Sequence, residues 1–167
     1  MNDMKRFLRH LFTTTAHGRR AFPADVLRDI QAEIARGERL HRAEVRLVIE
    51  ASLDLIDLLA RQSSRQRARE LFSTCRVWDT EENTGILLYV NLADHKVEII
   101  ADRGVARLIE ATQWQHICQL MTRGFAAGRY REAAIQAIAT LNTLLAAHLP
   151  ADDGSNPDEL SNRPLIL

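Results

Sequence analysis

A chain of 167 residues suits one domain and is long enough to bury a proper core. Lys+Arg and Asp+Glu both number 22, so no global field draws in nucleic acid. No apolar run approaches the roughly 20 residues of a membrane span, and the basic start lacks the continuous apolar core of a signal peptide, so the expected compartment is the cytoplasm.

Charge is unevenly placed. Residues 1 to 20 carry Lys5, Arg6, Arg9, Arg19 and Arg20 against Asp3, and the last stretch carries Asp152, Asp153, Asp158 and Glu159 against Arg163. Three segments follow: a basic amphipathic arm and linker over 1–21, an α/β domain over 22–150, and an acidic tail over 151–167. Met4 to Phe12 sets Phe7, Leu8, Leu11 and Phe12 against Lys5, Arg6, Arg9 and His10, a short basic amphipathic helix. Such a helix suits peripheral contact with an anionic membrane; the alternatives are a helix packed on its own domain or a frayed end. Thr13 to Gly18 reads as a linker.

Phe22-Pro23-Ala24-Asp25 opens a long helix, with Val26, Leu27, Ile30 and Ile34 at helical spacing and Gly37 near its end. Glu44 to Glu50 alternates as a strand. Ala51 to Gln62 is apolar enough for a short helix or a packed connection, and the helix is the favoured reading. Ser63 with Gln66 forms a capping box that starts a helix through Leu71, Phe72 and Cys75. Ile86 to Leu92 is almost wholly apolar, as a strand covered on both faces is. Lys96 to Ala101 alternates again, and only a hairpin turn fits between the two. A strand–helix–strand unit of this length implies a parallel first pair; the hairpin adds an antiparallel strand, so the sheet is mixed. After Gly104 the chain is helical. Thr112 to Gln115 is read as a capping box, followed by Trp114, Ile117, Cys118, Met121 and Phe125 on one stripe. Tyr130 to Leu149 is a helix ended by Pro150. The tail should be coil, with Pro164 to Leu167 able to dock. The fold class expected is a three-layer α/β/α sandwich with a small mixed sheet flanked by helices.

The chemistry is sparse. Cys75 and Cys118 lie far apart on apolar helical faces and read as reduced, buried thiols. His10, His17, His41, His116 and His148 form no ligand pair, and no GxGxxG or P-loop invites a nucleotide. With Asp94-His95 as a two-residue loop, Ala93 pairs with Lys96 and Leu87 faces Asp102. One end of the sheet then gathers Glu44, Asp79, Glu81, Glu82, Asn83 and Asp102, hard oxygen donors of the kind that hold Ca²⁺ or Mg²⁺. The competing reading is a surface cluster paired off by Arg46, Arg76 or Arg103. The opposite end holds Glu50, Ser52, Asp54, Asp94 and His95. There Ser52 and His95 read as a capping serine and a turn histidine ahead of a nucleophile and base.

The order of elements, with Asn83-Thr84-Gly85-Ile86-Leu87 before the buried strand, the hairpin with Lys96, and Gly128-Arg129-Tyr130 before the last helix, resembles the TPM-domain family over roughly Phe22 to Pro150. The resemblance implies a mixed sheet between helices. It also implies acid phosphatase activity and divalent-cation binding in some members, and an auxiliary role in membrane assemblies in others. Trp78-Asp79-Thr80-Glu81-Glu82 replaces the family's glycine-rich segment, and Asp102-Arg103-Gly104 keeps only the last glycine of its Gly-Tyr-Gly. The positions carried over as metal ligands are Asp79, Asn83, Asp102 and, more loosely, Glu44. The function expected is a non-catalytic binding or regulatory module with a protein partner, divalent-cation binding, and membrane association through residues 4–12 or through that partner; the alternative is a metal-dependent acid phosphatase.

Overall fold

The computed structural model describes residues 3–152 and 160–167. In chain order the elements are α1 (Asp3–Phe12), α2 (Thr15–Ala21), α3 (Ala24–Glu38), β1 (Glu44–Glu50), α4 (Leu55–Leu59), α5 (Ser64–Thr74), β2 (Gly85–Asn91), β3 (Lys96–Ala101), α6 (Arg103–Ala106), α7 (Ala111–Ala126), α8 (Tyr130–His148) and β4 (Leu165–Ile166). The strands form one mixed sheet in the order β3-β2-β1-β4. β1 and β2 are parallel from Glu44↔Gly85 to Glu50↔Asn91, β2 and β3 are antiparallel, and β4 lies parallel to β1 with Val48↔Leu165.

Alternation along β1 and β2 separates two cores. Val45, Leu47, Ile49, Ile86, Leu88 and Val90 face a large core shared with Ile30 and Ile34 of α3, Met121 of α7 and Ile138 of α8. Val48, Leu87 and Tyr89 face Ala68 and Leu71 of α5. All seven residues of β2 are buried, which explains why its sequence shows no polar alternation. The result is the expected α/β/α sandwich: α3, α7 and α8 on one face, α5 on the other. Among the described residues no helix is long and apolar enough to cross a membrane.

Several local expectations are corrected. The stretch read as a linker is largely α2, and its first turn is closed by His17, whose Nδ1 accepts from the Thr14 N–H at 3.2 Å. Histidine at that position is outside the Ser/Thr-x-x-Glu/Gln pattern, so the helix start was hidden. The box at the start of α7 is Glu110 with Gln113, two residues before the one expected, whereas the Ser63–Gln66 box stands as read. Leu165 and Ile166 add a fourth strand. Cys75 and Cys118 are free but only half-buried; burial pushes the Cys118 thiol up to about 11. Of the acidic tail, Asp153, Asp158 and Glu159 lie outside the described residues.

The hairpin register also differs. Asn91 pairs with Lys96, so the turn has four residues, Leu92 to His95. The Asp94 N–H donates to Asn91 Oδ1 at 2.8 Å, and His95 takes a left-handed φ of 53°. A slip of two residues keeps every side chain on its expected face. Asp102 therefore stands opposite Gly85, where its N–H donates to the Gly85 carbonyl at 2.9 Å, instead of opposite Leu87.

Candidate functional site

The two ends of the sheet are built differently. At the end where β1 and β2 begin, backbone contacts bring Glu44, Asn83 and Asp102 together. The Glu44 N–H donates to the Thr84 carbonyl at 3.3 Å, and the Gly104 N–H donates to the Asn83 carbonyl at 2.9 Å. Asn83 has a left-handed φ of 57°. Two glycines permit this crossing. A Cβ on Gly85 would sit 1.8 Å from the Val77 carbonyl oxygen, and one on Gly104 would sit 2.5 Å from that of Asn83. That second approach accounts for the glycine retained in Asp102-Arg103-Gly104.

The side chains do not converge as the backbones do. Glu44 is buried and accepts from the Leu160 N–H at 3.2 Å. The Asp102 carboxylate caps α6, accepting from the Arg103 N–H at 2.6 Å. Asp79 is exposed in the turn after Arg76. Glu82 is held by Arg42 at 2.8 Å, so the pairing arginine is Arg42; Arg46 turns instead to the carbonyls of Ser161 and Arg163. Among the described residues no group of three or more His, Cys, Asp or Glu side chains is placed to hold a metal ion. Two of the proposed ligands are already spent on backbone N–H groups, so the four do not fit a ready-made Ca²⁺ or Mg²⁺ site.

At the opposite end the polar groups do converge. Asp94, in the β2–β3 turn, is buried at the carboxyl ends of the parallel strands, where open α/β sheets bind their ligands. Here α1 fills that position. Arg6 grips Asp94 with a two-point fork, Nε to Oδ1 and Nη2 to Oδ2, each 2.8 Å. His10 Nε2 lies 3.0 Å from Oδ1, and Ser64 Oγ donates to Oδ2 at 3.1 Å. The His10 Nδ1 accepts from the Leu53 N–H at 3.0 Å, so the ring's own hydrogen is on Nε2 and is donated to Asp94. Burial pushes the Asp94 carboxyl upward, but hydrogen bonds from His10 and Arg6 outweigh it and hold it far below the usual carboxylate range.

A second buried group adjoins. Arg67 forks onto Glu50 at 2.8 Å, Tyr89 donates its hydroxyl to Glu50 at 2.5 Å, and Asn91 Nδ2 donates to the Tyr89 oxygen at 3.0 Å. Burial, then the Glu50 charge, raises the Tyr89 hydroxyl well above its ordinary value. Asn91 links both groups, because its Oδ1 holds the Asp94 N–H. Each member is satisfied, as a buried polar network must be. Ser52 and His95 share no hydrogen bond among the described residues; Asp54 caps α4.

Sequence reasoning missed Arg6, His10, Ser64, Glu50–Arg67 and Tyr89–Asn91 as a unit. Two signals were present. Tyr89 and Asn91 are polar residues in an otherwise apolar, covered strand, and such groups need partners. Arg6 and His10 stand four apart on one face of α1.

The orientation of α1 is the reverse of a helix packed by its apolar stripe. Its cationic face is turned in: Arg6 is 16% exposed at the side chain and His10 is shut from solvent. Its apolar face is turned out: Met4 is 63%, Leu11 61% and Phe12 70% exposed, with Leu8 alongside. Met4 and Phe7 share a cleft of about 540 Å³ with Leu58 and Leu59 of α4, and Leu55, Ile56 and Leu59 of that helix are also exposed. Lys5 and Arg61 flank this surface.

A family model described as "TPM domain" matches residues 19–144. No curated protein matches the chain. The NMR structure of BA42 protein from the psychrophilic bacterium Bizionia argentinensis superposes with a TM-score of 0.73 at 22% identity, covering 87% of this chain and 95% of that one. At that identity the likeness is one of fold.

Proposed function

This chain belongs to the TPM domain family, and from that premise we propose that it is a non-catalytic binding module that rests on an anionic membrane surface through the outward face of α1. The observation that carries the reading is the inverted packing of α1. A helix stabilising only its own domain would bury Met4, Leu8, Leu11 and Phe12; this one buries Arg6 and His10 and leaves the apolar side chains in water. Full burial of one such side chain stabilises by about 1.5–3 kcal/mol. A lysine or arginine near an anionic leaflet adds about 1 kcal/mol, which the exposed Lys5 supplies. One short helix holds a bilayer weakly by itself, so the exposed face of α4 is part of the same contact.

The buried polar network supports a non-catalytic role. His10 gives its hydrogen to Asp94 and its lone pair to Leu53, which leaves no free nitrogen to act as a base. The experiment is flotation of the full chain with vesicles of phosphatidylglycerol or of phosphatidylcholine. Flotation with the anionic vesicles, lost in L8E/F12E, is expected; a chain that stays with neither overturns the reading. A metal-dependent acid phosphatase is the competing reading, separated by assaying phosphomonoester hydrolysis with and without a chelator.

A further inference from the structure

A second cleft, of about 790 Å³, lies between the start of α3 and the C-terminal strand β4. Arg28, Arg46, Arg163 and Gln31 line it beside Leu27 and Leu165, and among the described residues no carboxylate does. The three cations come from three separate segments: α3, β1 and the approach to β4. Arg46 is half-buried and fixed, its Nη1 donating to the carbonyls of Ser161 at 2.6 Å and Arg163 at 3.1 Å. Those acceptors are neutral, so they orient the guanidinium without cancelling its charge. Arg28 and Arg163 are exposed, and among the described residues neither makes an ion pair. Asp25, on the first turn of α3, lies 3.9 Å from Arg131.

This arrangement is unusual for a chain with equal numbers of acidic and basic residues. Other arginines have found carboxylates: Arg36 with Glu33, Arg42 with Glu82, Arg67 with Glu50. Three guanidinium groups with no ion pair among the described residues, around one concavity and beside apolar side chains, suit a ligand with two parts. An oxyanion accepts the forked N–H groups, and an apolar body lies on Leu27 and Leu165. We propose that this cleft binds an anionic amphiphile, by its oxyanion head and its hydrocarbon together. The site is separate from the α1 face and does not depend on it.

The test is an amide-resolved NMR titration of the full chain with octyl phosphate below its micelle concentration, with inorganic phosphate and octanol as halves of the ligand. Saturable shifts confined to α3, to β1 around Arg46 and to residues 160–167 are expected. Inorganic phosphate should bind at least tenfold more weakly, and octanol should produce no saturable shift. R28E/R163E should lose binding at least tenfold while amides elsewhere stay in place; should that variant unfold, R28Q/R163Q is measured instead. L8E/F12E should bind as the parent does, which separates this site from membrane contact. Shifts scattered over other surface arginines, failure to saturate, or undiminished binding in the charge variants would overturn the assignment. Phosphatidylglycerol vesicles that displace octyl phosphate identify the source as a lipid, and vesicles that leave it bound identify a soluble amphiphile; both sustain the site.

Discussion

Asp94 and Arg6, 88 residues apart in the chain, are joined by two parallel 2.8 Å hydrogen bonds. That pair, with His10 beside it, holds α1 against the end of the sheet. Replacing Asp94 by Ala leaves the Arg6 guanidinium and the His10 N–H without their acceptor. Breaking one side of a buried pair costs about 3–5 kcal/mol. Arg6 keeps some access to water, so a loss of about 3 kcal/mol is expected in urea unfolding. Amide exchange in residues 4–12 should rise with it.

The same pair sets an acid dependence. The Asp94 carboxyl is depressed in the folded state, so its contribution is fully present above its unfolded value of about 3.9 and is lost as pH falls through and below that value. The stability gap between the parent and D94N should therefore be constant down to about pH 5 and narrow below about pH 4. A gap that widens on acidification would contradict the ion-pair account.

Tyr89→Phe removes the hydroxyl shared by Glu50 and Asn91 without changing ring packing. The Asn91 Nδ2 donor loses its acceptor and Glu50 keeps only Arg67. Unsatisfied buried groups cost about 1–3 kcal/mol, and thermal or urea unfolding should show a loss in that range.

Gly85→Ala tests the crossing that brings Asn83 to Gly104. The new methyl would overlap the Val77 carbonyl oxygen, and backbone cannot swing away as a side chain does. A loss of about 3 kcal/mol or more is expected, at or beyond the upper end for overpacking. Gly128→Ala makes a useful contrast: nothing lies within 4 Å of its Cβ position, and its cost should reflect only the left-handed φ of 72°.

For the carboxylates of Glu82, Asp102 and Glu44, partners already in place argue against tight cation binding. At 1 mM Ca²⁺ or Mg²⁺, a site with a millimolar dissociation constant stabilises by only about 0.4 kcal/mol. The expected rise in melting temperature is therefore about 1–2 °C. A rise of several degrees, reversed by chelator, would show that these side chains regroup around the ion.

The limits of β1 and β3, the helix-flanked layers and the parallel-then-antiparallel order were legible in the chain; β2 lies one residue earlier than read, and the tail's docking segment became β4. Alternation in Glu44–Glu50, the unbroken apolar run of β2 and the Ser63–Gln66 box are local patterns, and local patterns report which faces are covered. The hairpin register was not legible, because it is set by the Asn91 side chain holding the Asp94 N–H, a choice between turns of similar local energy. The direction of α1 was not legible either. An amphipathic helix announces two faces but not which one meets the protein. That depends on whether the fold presents a buried carboxylate or an apolar groove where the helix lands. Here it presents Asp94, assembled from a turn more than 80 residues away, and a desolvated two-point ion pair outweighed the apolar stripe. In the same way, residue types near the start of β1 and β2 named Glu44, Asp79, Asn83 and Asp102 as oxygen donors. Only the three-dimensional arrangement decided that Glu44 and Asp102 point at backbone N–H groups, because a side chain's partner is fixed by what the folded chain brings within 3 Å of it.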